Sequence, residues 1–83
     1  MQRDVIIAEL QNIFRLVFKD NQIVISSEMT AADHEAWDSL GHIHLIVAVE
    51  KHFKVHLSNA EVARLTKVGD LIDLLQSKVT RAA

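Results

Sequence analysis

From His42 to Lys54 the chain runs without glycine or proline, and its first part, His42-Ile43-His44-Leu45-Ile46-Val47-Ala48-Val49, is almost wholly apolar. Such a run can only be a helix or a buried strand. Its continuation through Glu50-Lys51-His52-Phe53-Lys54 makes it too long for an ordinary strand, so the pattern predicts a helix over 38–54. The tetrapeptide Trp37-Asp38-Ser39-Leu40 leads into it and puts Ser39 at the helix N-terminus. Backbone N–H groups there lack intrahelical partners and the helix dipole is positive, so a phosphate carried by Ser39 would sit where an anion is welcome. The plainer reading makes Ser39 an N-cap, alone or sharing the task with Asp38.

On a wheel of about 100° per residue this helix has two apolar faces. Leu45, Ile46, Val49 and Phe53 cluster on one side and form the core face. Leu40, Ile43 and Val47 lie nearly opposite, edged by His44, Glu50, Lys51 and Lys54. That second face is either covered by the preceding loop or open to a partner, and its place beside Ser39 favours a partner.

The rest of the chain supplies elements for this helix to pack on. Over 4–18, Ile6, Leu10, Ile13, Phe14 and Val17 recur at helical spacing and form one core-facing stripe. Val5, Ile7 and Phe18 fall off it and are expected to cover neighbouring loop. Residues 19–37 show no helical period; Asp20-Asn21 reads as a helix stop, and Ser26, Ser27, Thr30 and Asp33 are turn formers. A loop this long is acceptable in a small domain when its own side chains pin it, and Ile23, Val24, Ile25, Met29 and Trp37 are available. A strand at 23–25 is the alternative, without an evident partner. Ser58-Asn59-Ala60-Glu61 forms a capping box that opens a short helix over 59–65. After Thr66 and Lys67, the stripe Val68, Leu71, Ile72, Leu75 and Val79 marks a last helix, with Asp70 near its N-terminus and Lys78 and Arg81 near its C-terminus. Gly69 costs that helix about 1 kcal/mol relative to Ala, tolerable in a first turn. The Ala82-Ala83 end is expected to fray.

Composition narrows the function. A chain of 83 residues is one small domain, with no room for a catalytic cleft between domains. Cysteine is absent, so any thiol chemistry has to arrive on an attached group. The formal net charge of −2 is of the wrong sign for a nucleic-acid binder. No apolar run approaches the roughly 20 residues that span a bilayer, and Arg3, Asp4 and Glu9 break up any signal-peptide core. A cytoplasmic monomer is the expectation.

Asp38-Ser39-Leu40 opening an apolar helix resembles the acyl carrier and peptidyl carrier proteins, whose serine carries 4′-phosphopantetheine through a phosphodiester. The resemblance extends through Ala48, Glu50 and Phe53, then Val55 and Leu57, then Thr66 and Val68, and so covers nearly the whole chain. It implies an all-α four-helix bundle, three helices long and one short, with a long first loop. It further implies that Ser39 bears the arm and that Asp38 caps the helix and helps a phosphopantetheinyl transferase recognise the site. The helix over 38–54 would be the one read by acyl-loading, condensing or acyl-transfer enzymes, through Leu40, Ile43, Val47, His44, Glu50 and Lys51. In many members the acyl chain tucks between helices, here among Leu45, Ile46, Val49 and Ile72.

The chain departs from the fatty-acid members in charge. Their recognition helix is strongly acidic, whereas this one holds two acids, Asp38 and Glu50, against two bases, Lys51 and Lys54. Acidity has moved upstream to Glu28, Asp33, Glu35 and Asp38, which points to a specialised pathway rather than general fatty-acid synthesis.

Three other readings compete. Asp38, Ser39 and His42 suggest a hydrolytic triad, but His42, about 300° around the helix from Ser39, is expected to point away or toward the core. No Gly-x-Ser-x-Gly elbow accompanies it. His52 and His56 at i, i+4, with His44 two turns earlier, suggest a metal, but no thiol or placed acid completes the set and solvated histidines are expected. A pantetheine-free helical interaction module is the remaining alternative.

Overall fold

The computed structural model describes residues 2–82, of which 80–82 are described by backbone alone. The expectations placed on the Arg81 charge and on the chain end at Ala83 lie outside the described residues. Four helices form: α1 (Arg3–Val17), α2 (Ser39–Phe53), α3 (Asn59–Ala63) and α4 (Val68–Ala82). Three are long and one short, as expected. α1 packs on both α2 and α4.

The apolar stripes meet in one core. Ile6, Leu10 and Phe14 of α1, Leu45 and Val49 of α2, and Val68, Ile72 and Leu75 of α4 are fully buried, with Ile46 and Phe53 beside them. Phe18, expected to cover loop, does so from within the core: it lies 6.1 Å from the Trp37 ring and 5.5 Å from that of His34. Val5, by contrast, stays exposed.

Both α1 and α2 are followed by a lysine in the left-handed conformation, Lys19 and Lys54. A glycine normally takes that position because a Cβ is disfavoured there. Both helices end within one residue of the expected 18 and 54, the first turning back at Lys19, one residue before the Asp20-Asn21 signal; a lysine is not a residue type that marks such a turn.

The long loop is ordered without becoming a strand. Ile23 and Ile25 are buried and Val24 between them is exposed, an alternation that looks strand-like. Their backbone groups bond instead to side chains one turn apart on α1, where Arg15 Nε donates to Ile23 O at 2.8 Å and Gln11 Oε1 accepts from Ile25 N at 3.1 Å. A 3₁₀ turn at Ala31–Asp33 follows, closed by a reciprocal cap between Thr30 and Asp33.

The same loop closes the start of α4. Val68 N–H donates to Met29 O at 2.9 Å and Gly69 N–H to Ser27 O at 3.0 Å, so two of the helix's first amides are satisfied by loop carbonyls. Asp70 Oδ2 accepts from the Thr66 and Lys67 amides and from Thr66 Oγ1, which holds its carboxyl below the usual value. α3 opens on the expected Ser58–Glu61 capping box, and Lys78 of α4 reaches Glu61 at 3.1 Å.

Candidate functional site

The first turn of α2 is assembled by the segment just before it. Asp38 is the N-cap: its Oδ1 accepts from Gly41 N at 2.8 Å, and its carbonyl accepts from His42 N at 2.8 Å. Ser39 is therefore the first helical residue and not the cap. A cap side chain reaches two or three residues ahead, and Asp38 already occupies that place. Ser39 is exposed, and among the described residues its hydroxyl has no hydrogen-bond partner. Its backbone N–H and that of Leu40 likewise meet no acceptor among the described residues.

Gly41 makes this geometry possible. A Cβ there would fall on the carbonyl oxygen of Ala36, so only glycine lets the preceding chain cross the first turn so closely. The crossing presses Trp37 into the core, edge-on to Phe14 at 5.3 Å. His34 fixes the approach. Its Nδ1 accepts from Ala36 N at 3.1 Å, which leaves Nε2–H to donate to Asp20 Oδ2 at 3.0 Å. That bond, helped by the Gln22 amide, holds the Asp20 carboxyl below its usual range.

An open cleft of about 510 Å³ lies at this turn, lined by Ser39 and His42 of α2 and, from outside it, by Ala31, Trp37, Asp38, Leu65 and Thr66. His42 thus turns toward the core at Trp37, as expected, but it also lies on the Ser39 side of the helix and not away from it. A rotation of about 300° is also about 60° the other way, which makes i and i+3 neighbours. Nδ1 of His42 accepts the Trp37 indole N–H at 3.0 Å, and burial pushes the imidazole pKa down. No triad results: with Nδ1 accepting the indole N–H, the ring proton sits on Nε2 and no lone pair is left to take the Ser39 proton.

The second apolar face of α2 is open rather than covered by the loop: Leu40, Ile43 and Val47 are 62%, 58% and 43% exposed. His44 and Lys51 flank it in solvent. Glu50 is half-buried, since its carboxylate accepts from Leu57 N at 2.9 Å and lies 3.4 Å from His56 Nδ1. The upstream acids are partly committed too, with Glu28 paired to Lys67 at 3.2 Å and Asp33 capping Thr30. The histidines are less solvated than expected: His52 bonds Glu9 at 2.7 Å, while His34 and His42 are held as described. Among the described residues no group of three or more His, Cys, Asp or Glu is placed to hold a metal ion.

An exposed serine on the first turn of the second helix of a four-helix bundle, with a neighbouring cap and an apolar face beside it, is the arrangement expected of a carrier protein. The chain superposes on the solution NMR structure of a holo acyl carrier protein from Geobacter metallireducens with a TM-score of 0.87. The two are 45% identical over 92% of this chain and 87% of that one. No protein-family model matches the chain. At that identity and coverage the chain belongs to the acyl carrier protein family, and its role is that of a carrier and not of an enzyme.

Sequence reasoning did not find Trp37, His42, Leu65 and Thr66 as walls of one cleft. The i, i+3 spacing of Ser39 and His42 was the available signal; the approach of Leu65 and Thr66 depends on the tertiary fold and has none.

Proposed function

We propose that residues 1–83 form a single carrier domain on which Ser39 is the attachment point for a 4′-phosphopantetheine arm. The observation that carries this reading is the exposed, unpartnered hydroxyl of Ser39 at the first position of α2, with capping assigned to Asp38. The residues suit the group. Two free amides and the positive end of the helix dipole favour a phosphodiester, and the cleft at the same turn leaves room for a transferase to reach the hydroxyl. When attached, the arm supplies a terminal thiol that holds an acyl or aminoacyl chain as a thioester. The protein then contributes tethering, which raises the local concentration of cargo at successive enzymes.

Asp38 serves as cap and, in this proposal, as part of the surface read by the phosphopantetheinyl transferase. Leu40, Ile43 and Val47, with His44, Glu50 and Lys51 at their edge, form the surface for acyl-loading, condensing or acyl-transfer enzymes. Near-neutrality of α2 supports service in a specialised biosynthetic pathway and not general fatty-acid synthesis. No described helix is long and apolar enough to cross a membrane; that the protein acts as a cytoplasmic monomer is part of this proposal.

Intact mass of protein produced with a phosphopantetheinyl transferase tests the attachment. One arm is expected per chain, none on Ser39→Ala, and modification persisting in that variant or moving to Ser26, Ser27 or Ser58 would end the proposal.

A further inference from the structure

Two hollows flank the N-terminal half of α2, and His42 lines both. One is the cleft beside Ser39; the other is a groove of about 300 Å³ between α2 and α3, walled by Ile43, Ile46 and Val47 on one side and Leu57 and Val62 on the other. A path along the surface from Ser39 into that groove passes this histidine.

The ring is held in one protonation pattern by the core. An indole can only donate, so the Nδ1 that receives Trp37 Nε1–H has to be a lone pair, and the single proton of the neutral ring resides on Nε2. The two ring planes are 15° from parallel with centroids 6.2 Å apart, and the indole N–H reaches Nδ1 at 3.0 Å. Trp37 is itself clamped between Phe14 and Phe18, which makes the bond an extension of the core. Nε2 has no partner among the described residues, and none of their buried side-chain nitrogens or oxygens lacks one. That N–H therefore faces open space.

We propose that His42 is a positioning residue for the prosthetic arm: with its tautomer set by Trp37, it donates Nε2–H to a phosphodiester oxygen on Ser39, at the passage from one hollow to the other. The inference rests on the attachment proposed above. Residues at i and i+3 on a helix have their Cβ atoms about 5–6 Å apart, within reach of an imidazole and a phosphate ester. A hydrogen bond to an anionic oxygen is shorter and about twice as strong as one between neutral groups. Held at its near end, the arm would leave Ser39 toward the groove and not along the loop.

Intact mass separates attachment from positioning, because a chain that gains no arm ends both proposals. On protein shown to be loaded, proton–nitrogen correlation spectra of the histidines should report the Nε2–H form of His42 before and after loading. The His42 titration should move to higher pH on loading, since the anion favours the charged ring. Asp38, Glu50 and His56, the other titratable residues lining the two hollows, are the same in both forms. His42→Gln, which keeps a donor near Nε2, should hold the phosphorus resonance of the arm close to its wild-type position. His42→Asn keeps an acceptor for Trp37 but its amide N–H stops short of the Nε2 position, and it should shift that resonance, as should Trp37→Phe. A loaded protein whose His42 titrates at the same pH as the unloaded one overturns the inference and leaves the attachment standing. So does a phosphorus resonance that His42→Asn leaves in place.

Discussion

The backbone N–H of Gly69 donates to the carbonyl oxygen of Ser27 at 3.0 Å, and a Cβ on Gly69 would stand 2.9 Å from that same oxygen. The residue at the start of α4 is thus a glycine because the long loop is pinned there. Gly69→Ala gains up to about 1 kcal/mol of helix propensity. It loses about 1 kcal/mol of hydrogen bonding and roughly 1–3 kcal/mol to crowding against backbone that cannot rotate away. A net loss of about 1–3 kcal/mol is expected, read as a Tm lower by roughly 4–8 °C per kcal/mol for a domain of this size. Gly41→Ala should cost more, because its Cβ would clash more severely with the Ala36 carbonyl oxygen. A Tm raised by either substitution would refute the close-approach account.

These two glycines mark where sequence reading stopped. The stripes of α1, α2 and α4 were legible because a helix that buries one face repeats its apolar residues at that face's period. Ile6, Leu10, Leu45, Val49, Ile72 and Leu75 are all found where the period puts them. The loop's anchoring was not legible. Gln11 and Arg15 hold Ile25 and Ile23 through backbone atoms, and any residue can offer those atoms. Asp38 and Ser39 were legible as a helix start, but which of them caps is decided by one residue of register.

Protonation of His42 should weaken the fold below neutral pH. Burial depresses its folded pKa below the ordinary 6.5, so the unfolded chain binds the extra proton first as pH falls. The stability owed to the neutral ring is present above about 6.5 and is lost as pH drops through the lower folded value. Protonation also removes the acceptor for Trp37. Chemical denaturation midpoints should therefore fall between about pH 7.5 and about pH 5, and fall less in His42→Asn. Asp20, Glu61 and Asp70 act in a separate window at lower pH, their carboxyls being held low by hydrogen bonds. Identical pH slopes in wild type and His42→Asn would contradict the assignment.

Asp38 has two tasks that substitution can separate. Asparagine caps a helix nearly as well as aspartate, so Asp38→Asn should unfold within a degree or two of wild type, whereas Asp38→Ala should lose about 1 kcal/mol. If the carboxylate is also read by the transferase, both variants should be modified more slowly. Asp38→Asn modified at the wild-type rate would leave the residue as a cap alone.

Cargo burial is measurable as a shift in stability. Leu45, Ile46, Val49 and Ile72 are packed tightly, and the groove between α2 and α3 adjoins Ile46. A long acyl chain that enters there binds the folded state only, so the acylated protein should melt above the form that carries the bare arm. Equal melting temperatures would place the cargo in solvent, as expected for short or aminoacyl groups.

Recognition should run through apolar contact and less through charge. Leu40, Ile43 and Val47 are exposed and contribute little to the fold, so replacing each by alanine should change stability by about 0.5 kcal/mol or less. Leu45→Ala, one turn away on the buried face, should cost about 2–5 kcal/mol. Desolvated apolar side chains set affinity, while rim charges set association rate and partner choice. Of the rim, Glu50 and Glu28 are already paired within the chain and Asp33 and Asp38 act as caps, which leaves His44, Lys51, Lys54 and Glu35 as its exposed ionisable groups. Loading and elongation by general fatty-acid synthase enzymes should accordingly be slow beside those of a carrier with an acidic second helix, and should respond weakly to salt. Equal rates for the two carriers at physiological salt would place this protein in general fatty-acid synthesis.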